Sequence, residues 1–252
     1  MVEFKKDKLN VVIADCAKCM GERAAEDIYA AICELLKQKE EINMIFAAAP
    51  SQNTTLEALL KKEIEWNRIN AFHMDEYIGL PEGSKASFQQ YLHEHIFSKA
   101  NFKSVNYINA SAKDKDAECE RYAKLLTEYP VDIVCLGIGE NGHIAFNDPG
   151  VAEFNDPKMI KPAKLDDKCR TQQVHDGCFE KFEDVPEYAL TLTVPALTKA
   201  KYMFCVVPYS TKADAVKAMI EGEITEDCPA TALRMHSGAT LYCDKESSSK
   251  LL

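Results

Sequence analysis

Apolar residues fall into two alternating spacings along this chain. Short continuous runs rich in β-branched residues read as buried strands, and windows with apolar residues every three or four positions read as helices with one covered face. "LNVVIAD" (9–15) predicts a first strand, and "MGERAAEDIYAAICELLKQK" (20–39) a helix. "INMIFAAA" (42–49) is the next strand, 54–62 a short helix and "INAFHM" (69–74) a third strand. Helical spacing returns at 84–99 and 113–128, and "VDIVCLGIG" (131–139) follows as a strand. "EYALTLTV" (187–194) and "KYMFCVVP" (201–208) are strands, "STKADAVKAMIEG" (210–222) a helix and "ATLYCD" (239–244) a last strand.

Strands that alternate with helices make βαβ units, so the pattern predicts an α/β fold of Rossmann-like type. Its sheet is mostly parallel, with helices on both faces. One domain over 1–252 is expected, with no internal repeat and no low-complexity segment. Residues 151–186 are polar and poorly periodic and are read as one irregular connection. Such a length inside a compact domain marks a lid, a binding loop or disorder.

Composition adds exclusions. The 252 residues are 46% hydrophobic and 28% charged, with net charge −10, which suits a soluble globular protein. Without a Lys/Arg-rich cluster there is no basic face to displace nucleic-acid counterions, so no nucleic-acid partner is expected. A local group of donors can still bind a small anion. No apolar run nears the length of a membrane span, and "VEFKKDKLN" after Met1 has no signal-peptide core. Among ten cysteines, Cys33, Cys135 and Cys205 lie in strongly apolar runs, as buried thiols do in a reducing cytosol. A cytoplasmic location is expected. "DCAKC" holds a Cys-x-x-Cys pair, Cys16 and Cys19, with no second pair at matching spacing, so zinc is not expected and a redox role is only weakly indicated. His93 and His95 diverge on a helix and read as surface or packing, so no metal site is expected.

Ligands of open α/β sheets bind outside the carboxyl ends of the strands, and the loops there are rich in reactive groups. "HMDEYIGLP" (73–81) places Asp75 and Glu76 side by side. In an extended segment they point to opposite sides, so one suits a base and the other a structural partner, or the two form a solvated acidic turn leading to Gly79 and Pro81. "GIGENGHIAFNDPG" (137–150) seats His143 among four glycines. An imidazole suits acid–base work near neutrality, Asp148 can fix its tautomer, and Asn141 can orient it or the substrate. Ser51, Gln52, Asn53 and Thr54 stand between a strand and a helix, where free N–H groups bind phosphate or Asn53 or Thr54 caps the helix. Lys212 opens a later helix, as a point charge for an anion or as a surface lysine.

With these segments in view the chain resembles the glucosamine-6-phosphate deaminase (isomerase) family. "FHMDEYIGLP" is similar to the family's "MDEYxGL", and "LGIGENGHIAFNDPG" to its "GIGxxGHIxFNEPG". "VPEYALTLTVPAL" and "STKADAV" recur in the expected order, so the resemblance spans about 10–244. It implies aldose–ketose isomerisation with loss of ammonia, most simply glucosamine 6-phosphate to fructose 6-phosphate, without metal or cofactor. Asp75 would be the base between C2 and C1. His143 would open the sugar ring, supported by Asn141 and Asp148. Ser51, Gln52, Asn53, Thr54 and Lys212 would hold the phosphate, Arg170 would match the family's phosphate-binding arginine, and 151–186 would be a lid.

Three positions depart from the family pattern: Asp148 replaces Glu, Asn141 stands where many members carry Asp, and "PSQNT" replaces "PTGGT". These bear on substrate identity more than on reaction class. Galactosamine 6-phosphate is an alternative substrate. A 6-phosphogluconolactonase-type hydrolase, using His143 to activate water with no need of Asp75, is a rival, as is a non-catalytic sugar-phosphate sensor. Homo-oligomer formation is left open.

Overall fold

The computed structural model describes residues 1–81 and 83–251. It opens with an antiparallel hairpin, β1 (Val2–Lys6) and β2 (Leu9–Ile13), and the helix α1 (Ala17–Leu36). β3 (Ile42–Phe46), α2 (Asn53–Leu59), β4 (Ile69–His73) and β5 (Asp75–Tyr77) follow. α3 (Phe88–Leu92) runs on into a π-helical turn at His93–Phe97. Next come β6 (Ser104–Asn106), α4 (Lys115–Glu128), β7 (Ile133–Leu136), β8 (Ile160–Lys164) and α5 (Asp167–His175). β9 (Tyr188–Leu192), α6 (Val194–Thr198), β10 (Tyr202–Val207), α7 (Ala213–Glu221) and β11 (Ala239–Cys243) complete the order.

Eight strands form the main sheet in the order β1-β2-β11-β10-β7-β3-β4-β6, parallel throughout except for the β1 hairpin. Their apolar runs are continuous because both faces are buried. Period two then divides each strand. Met44, Phe46, Ile133 and Cys135 pack with Ile28, Leu56 and Ile96, whereas Ile45, Val134 and Leu136 pack with Tyr122, Leu197 and Val216. So α1, α2 and the π-helical turn cover one face, and α4, α6 and α7 the other, as the α/β pattern predicts. Each such Ile, Leu or Phe contributes roughly 1.5–3 kcal/mol by leaving water.

Four expectations are corrected. β9 lies outside the main sheet, in a small antiparallel sheet of order β5-β9-β8, where Asp75 faces Thr191 across the ladder. The chain after His73 leaves the parallel sheet to make that pairing, a non-local choice that strand periodicity does not encode. The segment 151–186 is not one irregular connection, because it carries β8 and α5. The 84–99 helix starts later, at Phe88, and changes to π-helical hydrogen bonding at His93. Cys33 is half-buried, not buried, because it sits on the rim of the α1 stripe. His93 is exposed and His95 stacks on Tyr91 at 3.9 Å, as surface and packing residues. Among the described residues, no helix is long and apolar enough to cross a membrane.

One contact ties the helices to the functional edge. A Cβ on Gly21 of α1 would lie 2.3 Å from Thr54 Oγ1, so only glycine lets α2 approach this closely.

Candidate active site

The four central strands β10, β7, β3 and β4 end side by side, and their following loops line a cavity partly open to solvent. Ser51 enters from the β3 loop, Asp75 from beyond β4, His143 from the β7 loop, and Tyr209 and Lys212 from the β10 loop. The backbone is strained there. Tyr209 takes φ 78° and ψ 147°, a region almost reserved for glycine, and Ala145 takes φ 49°. Such conformations cost on the order of 1–3 kcal/mol and persist where surrounding structure imposes them. Asp244 contributes, its Oδ2 accepting the Tyr209 N–H at 3.3 Å.

The glycine-rich loop is explained by the imidazole it holds. A Cβ on Gly139 would sit 2.1 Å from His143 Cε1, and Gly142 needs its φ of 85°. Asn141 Nδ2 donates to Asp148 Oδ1 at 2.9 Å and to Asp166 Oδ2 at 2.8 Å. Two carboxylates on the amide nitrogen fix the flip, leaving Oδ1 to accept from the His143 backbone N–H at 3.0 Å. His143 Nδ1 lies 2.7 Å from that same Oδ1 and 3.0 Å from Asp148 Oδ1. Both neighbours are acceptors, so Nδ1 carries the proton and Nε2 keeps a free lone pair. Burial works to raise the Asp148 pKa. The hydrogen bond and charge of His143, with donors from Asn141 and the Asp166 N–H, outweigh it and hold the carboxyl below its usual range.

Asp75 and Glu76 divide as strand alternation requires. Glu76 accepts from the N–H groups of Tyr77, Phe88 and Gln89 and from Ser87 Oγ, and so anchors the start of α3. Asp75 lines the cavity, is 6% exposed, and takes no hydrogen bond from the described residues. Burial first, and the Glu76 charge second, push its pKa well above the ordinary carboxylate range. A bare carboxylate so poised is a proton acceptor in waiting.

Lys212 is 4% exposed, lines the same cavity, and has no ion-pair partner among the described residues. Burial pulls its pKa down, against the opposing fields of Asp176 and Glu140. Of the four residues read as a phosphate loop, only Ser51 reaches the cavity. Gln52 donates to Ser51 Oγ at 3.1 Å and to the Val206 carbonyl at 3.3 Å, Asn53 accepts from Tyr91 Oη, and the Thr54 hydroxyl is buried against Gly21. Arg170 also points elsewhere. Its Nη2 donates to the carbonyls of Phe182 at 3.2 Å and Val185 at 2.8 Å, and its guanidinium lies 4.1 Å over the Phe182 ring.

The wall that sequence reading missed comes from α5 and its exit. Gln172 accepts from the Glu140 N–H at 2.8 Å and donates to Asp176 Oδ2 at 3.1 Å. Gln173 is 6% exposed, lines the cavity, and its amide has no hydrogen bond within the described residues. Asp166 caps α5 by accepting from the Cys169 N–H at 2.5 Å, so one carboxylate ties that wall to Asn141. The paired glutamines of "RTQQVHDG" were the available signal.

His143, Asp148 and Cys169 each offer one ligand-type atom within 4.8 Å of one another. Proton sharing explains the cluster better than a metal does. Burial first, and then the Asp148 and Asp166 charges, push the Cys169 thiol well above its usual range. A metal would need that thiol ionised.

A family model described as glucosamine-6-phosphate isomerases/6-phosphogluconolactonase matches residues 16–242. Glucosamine-6-phosphate deaminase of Bacillus cereus strain B4264 is 38% identical over 228 residues, 90% of this chain and 85% of that protein. The same enzyme of Bacillus anthracis strain CDC 684 matches at 38% over 228 residues. A solved monomeric glucosamine-6-phosphate deaminase superposes with TM-score 0.86 at 29% identity, covering 95% of this chain and 98% of that one. A 6-phosphogluconolactonase of Thermotoga maritima gives TM-score 0.75 at 21% identity over 93% and 98%, a likeness of fold.

Proposed function

The chain belongs to the glucosamine-6-phosphate isomerase/6-phosphogluconolactonase family, and we propose that it converts glucosamine 6-phosphate to fructose 6-phosphate and ammonia. The observation that carries this reading is a pairing across one cavity. A bare, buried carboxylate, Asp75, shares it with a histidine whose free nitrogen is set by its own network. Lactone hydrolysis calls for the histidine alone, whereas moving a proton between two carbons calls for the second base.

His143 Nε2 takes the O1 hydroxyl proton as the C1–O5 bond breaks and returns it to O5. Asp148 and the Asn141 carbonyl, on Nδ1, support the transient imidazolium. Asp75 then removes the C2 proton, giving an enolamine, and delivers it to C1. The C2 iminium that results adds water and expels ammonia, leaving the C2 ketone. Burial keeps Asp75 basic enough for a carbon acid. Lys212, with the Ser51 hydroxyl, holds the phosphate, and the Gln173 amide meets a sugar hydroxyl or the amino group. The enzyme works in the cytoplasm. His143 and Asp75 thus carry the proton transfers of ring opening and of the C2-to-C1 shift.

Purified protein incubated with glucosamine 6-phosphate tests the reading, with ammonia and fructose 6-phosphate measured together. Equal amounts of both are expected. Neither product from this substrate, with turnover of 6-phosphogluconolactone instead, would replace the reading with the hydrolase.

A further inference from the structure

The Cys16/Cys19 pair plays no part in the chemistry above. Cys16 is the N-cap of α1, exposed, and its Sγ accepts the Cys19 N–H at 3.2 Å. Cys19 is one turn further on and half-buried, and the two sulfurs lie 2.6 Å apart. All ten cysteines are free thiols. We propose that Cys16 and Cys19 are a redox-active dithiol that exchanges reversibly with low-molecular-weight disulfides.

Their positions divide the labour. Cys16 sits where α1 leaves N–H groups unpaired and its dipole favours negative charge. The Cys16–Cys19 contact, in which either thiol can donate, lowers the Cys16 pKa and raises that of Cys19. Lys245, paired with Asp15 at 2.7 Å, adds positive field at the turn, and Glu22 opposes it. Cys16 is therefore the nucleophile, open to solvent, and Cys19 the resolving thiol behind it.

The exchange balances in two steps. The Cys16 thiolate attacks one sulfur of an oxidant RSSR, breaking its S–S bond, forming Cys16–S–SR and releasing one thiolate. Cys19 gives up its proton and attacks the Cys16 sulfur, forming the Cys16–Cys19 bond and releasing the second thiolate. Two protein thiols are oxidised and one disulfide is reduced to two thiols. The remaining cysteines are poorly placed to compete. Six are buried, and of the two that are half-buried, burial pushes Cys178 up to about 11, while Cys33 lies within α1, away from its N-terminus. Neither Cys16 nor Cys19 lines the candidate catalytic cavity, so the readout is the thiols and not turnover.

The full chain, treated with oxidised glutathione, quenched in acid and alkylated, is mapped by peptide mass. The wild type is expected to show a Cys16–Cys19 disulfide that dithiothreitol reverses. Cys19→Ser should trap glutathione on Cys16. Cys16→Ser, which keeps an oxygen at the N-cap, should leave Cys19 reacting about tenfold more slowly or worse. Circular dichroism of both variants should match the wild type, since Cys16 is exposed, Cys19 is only half-buried and serine is close to cysteine in size. Wild-type protein in which both thiols stay alkylatable would overturn the proposal. So would Cys19→Ser protein that carries no adduct on Cys16, or reaction at Cys33 or Cys178 ahead of Cys16.

Discussion

The two sides of the cavity are built on opposite principles. On the His143 side the groups that hold the imidazole pair with one another, leaving its Nε2 free: Asn141 spans two carboxylates, and Asp148 takes bonds from His143, Asn141 and the Asp166 N–H. On the other side Asp75, Lys212 and Gln173 are all at least nine-tenths buried and carry no partner among the described residues. Burying a polar group without a partner costs free energy, so the second side holds the molecule at some expense of stability. On the proposed function, the satisfied side positions a proton carrier and the bare side is kept for substrate.

That contrast can be broken from either side. The largest effect is expected for Asp75→Asn, which should lower kcat by about 10²- to 10⁴-fold, measured as fructose 6-phosphate release, with the circular dichroism spectrum retained. In the wild type the base must be ionised, so turnover should fall as pH drops through the raised Asp75 pKa. Asp148→Asn comes next. Its amide would face the Asp166 N–H donor to donor, so activity should fall on the order of 10²-fold and stability by about 1–3 kcal/mol, read as paired losses in kcat and thermal midpoint. Lys212→Met separates the two quantities. KM for the sugar phosphate should rise about 10- to 100-fold while the thermal midpoint rises, because a buried unpaired cation is removed. Gln173→Leu is the smallest change. About a tenfold loss in kcat/KM, carried by KM, is expected, with the thermal midpoint slightly raised. A fall in thermal midpoint for Lys212→Met or Gln173→Leu would show that these side chains hold the fold together.

The parallel sheet was legible because strands buried on both faces read as unbroken apolar runs, as in "VDIVCL" and "YMFCVV". Asp75 and His143 were legible because each sits in a short contiguous motif directly after a strand. What lay across the chain was not. The antiparallel sheet joins three segments distant in sequence, and β8, with the sequence "IKPAK", has too much lysine and proline to read as a strand. Arg170 was sought in the right segment, but its long side chain reaches the carbonyls of Phe182 and Val185 instead of the cavity. Gln173, three residues further on, reaches the cavity with an amide that residue statistics treat as ordinary surface. For 51–54, the "PSQNT" segment joins β3 to α2 as read, yet Gln52 turns inward to the Val206 carbonyl on β10.

The most direct test of the central claim is thermal unfolding of wild type and Asp75→Asn across pH 4 to 8. A carboxyl whose folded pKa is raised binds its proton more tightly in the folded state. Stability is therefore lost as pH rises from the unfolded value, about 3.9, through the folded one. The variant's midpoint should exceed that of the wild type by a margin that widens with pH and reaches at least about 2–4 °C near neutrality, or roughly 1 kcal/mol. A variant less stable than the wild type at pH 8, or a margin that shrinks as pH rises, would contradict that expectation and make Asp75 a structural carboxylate.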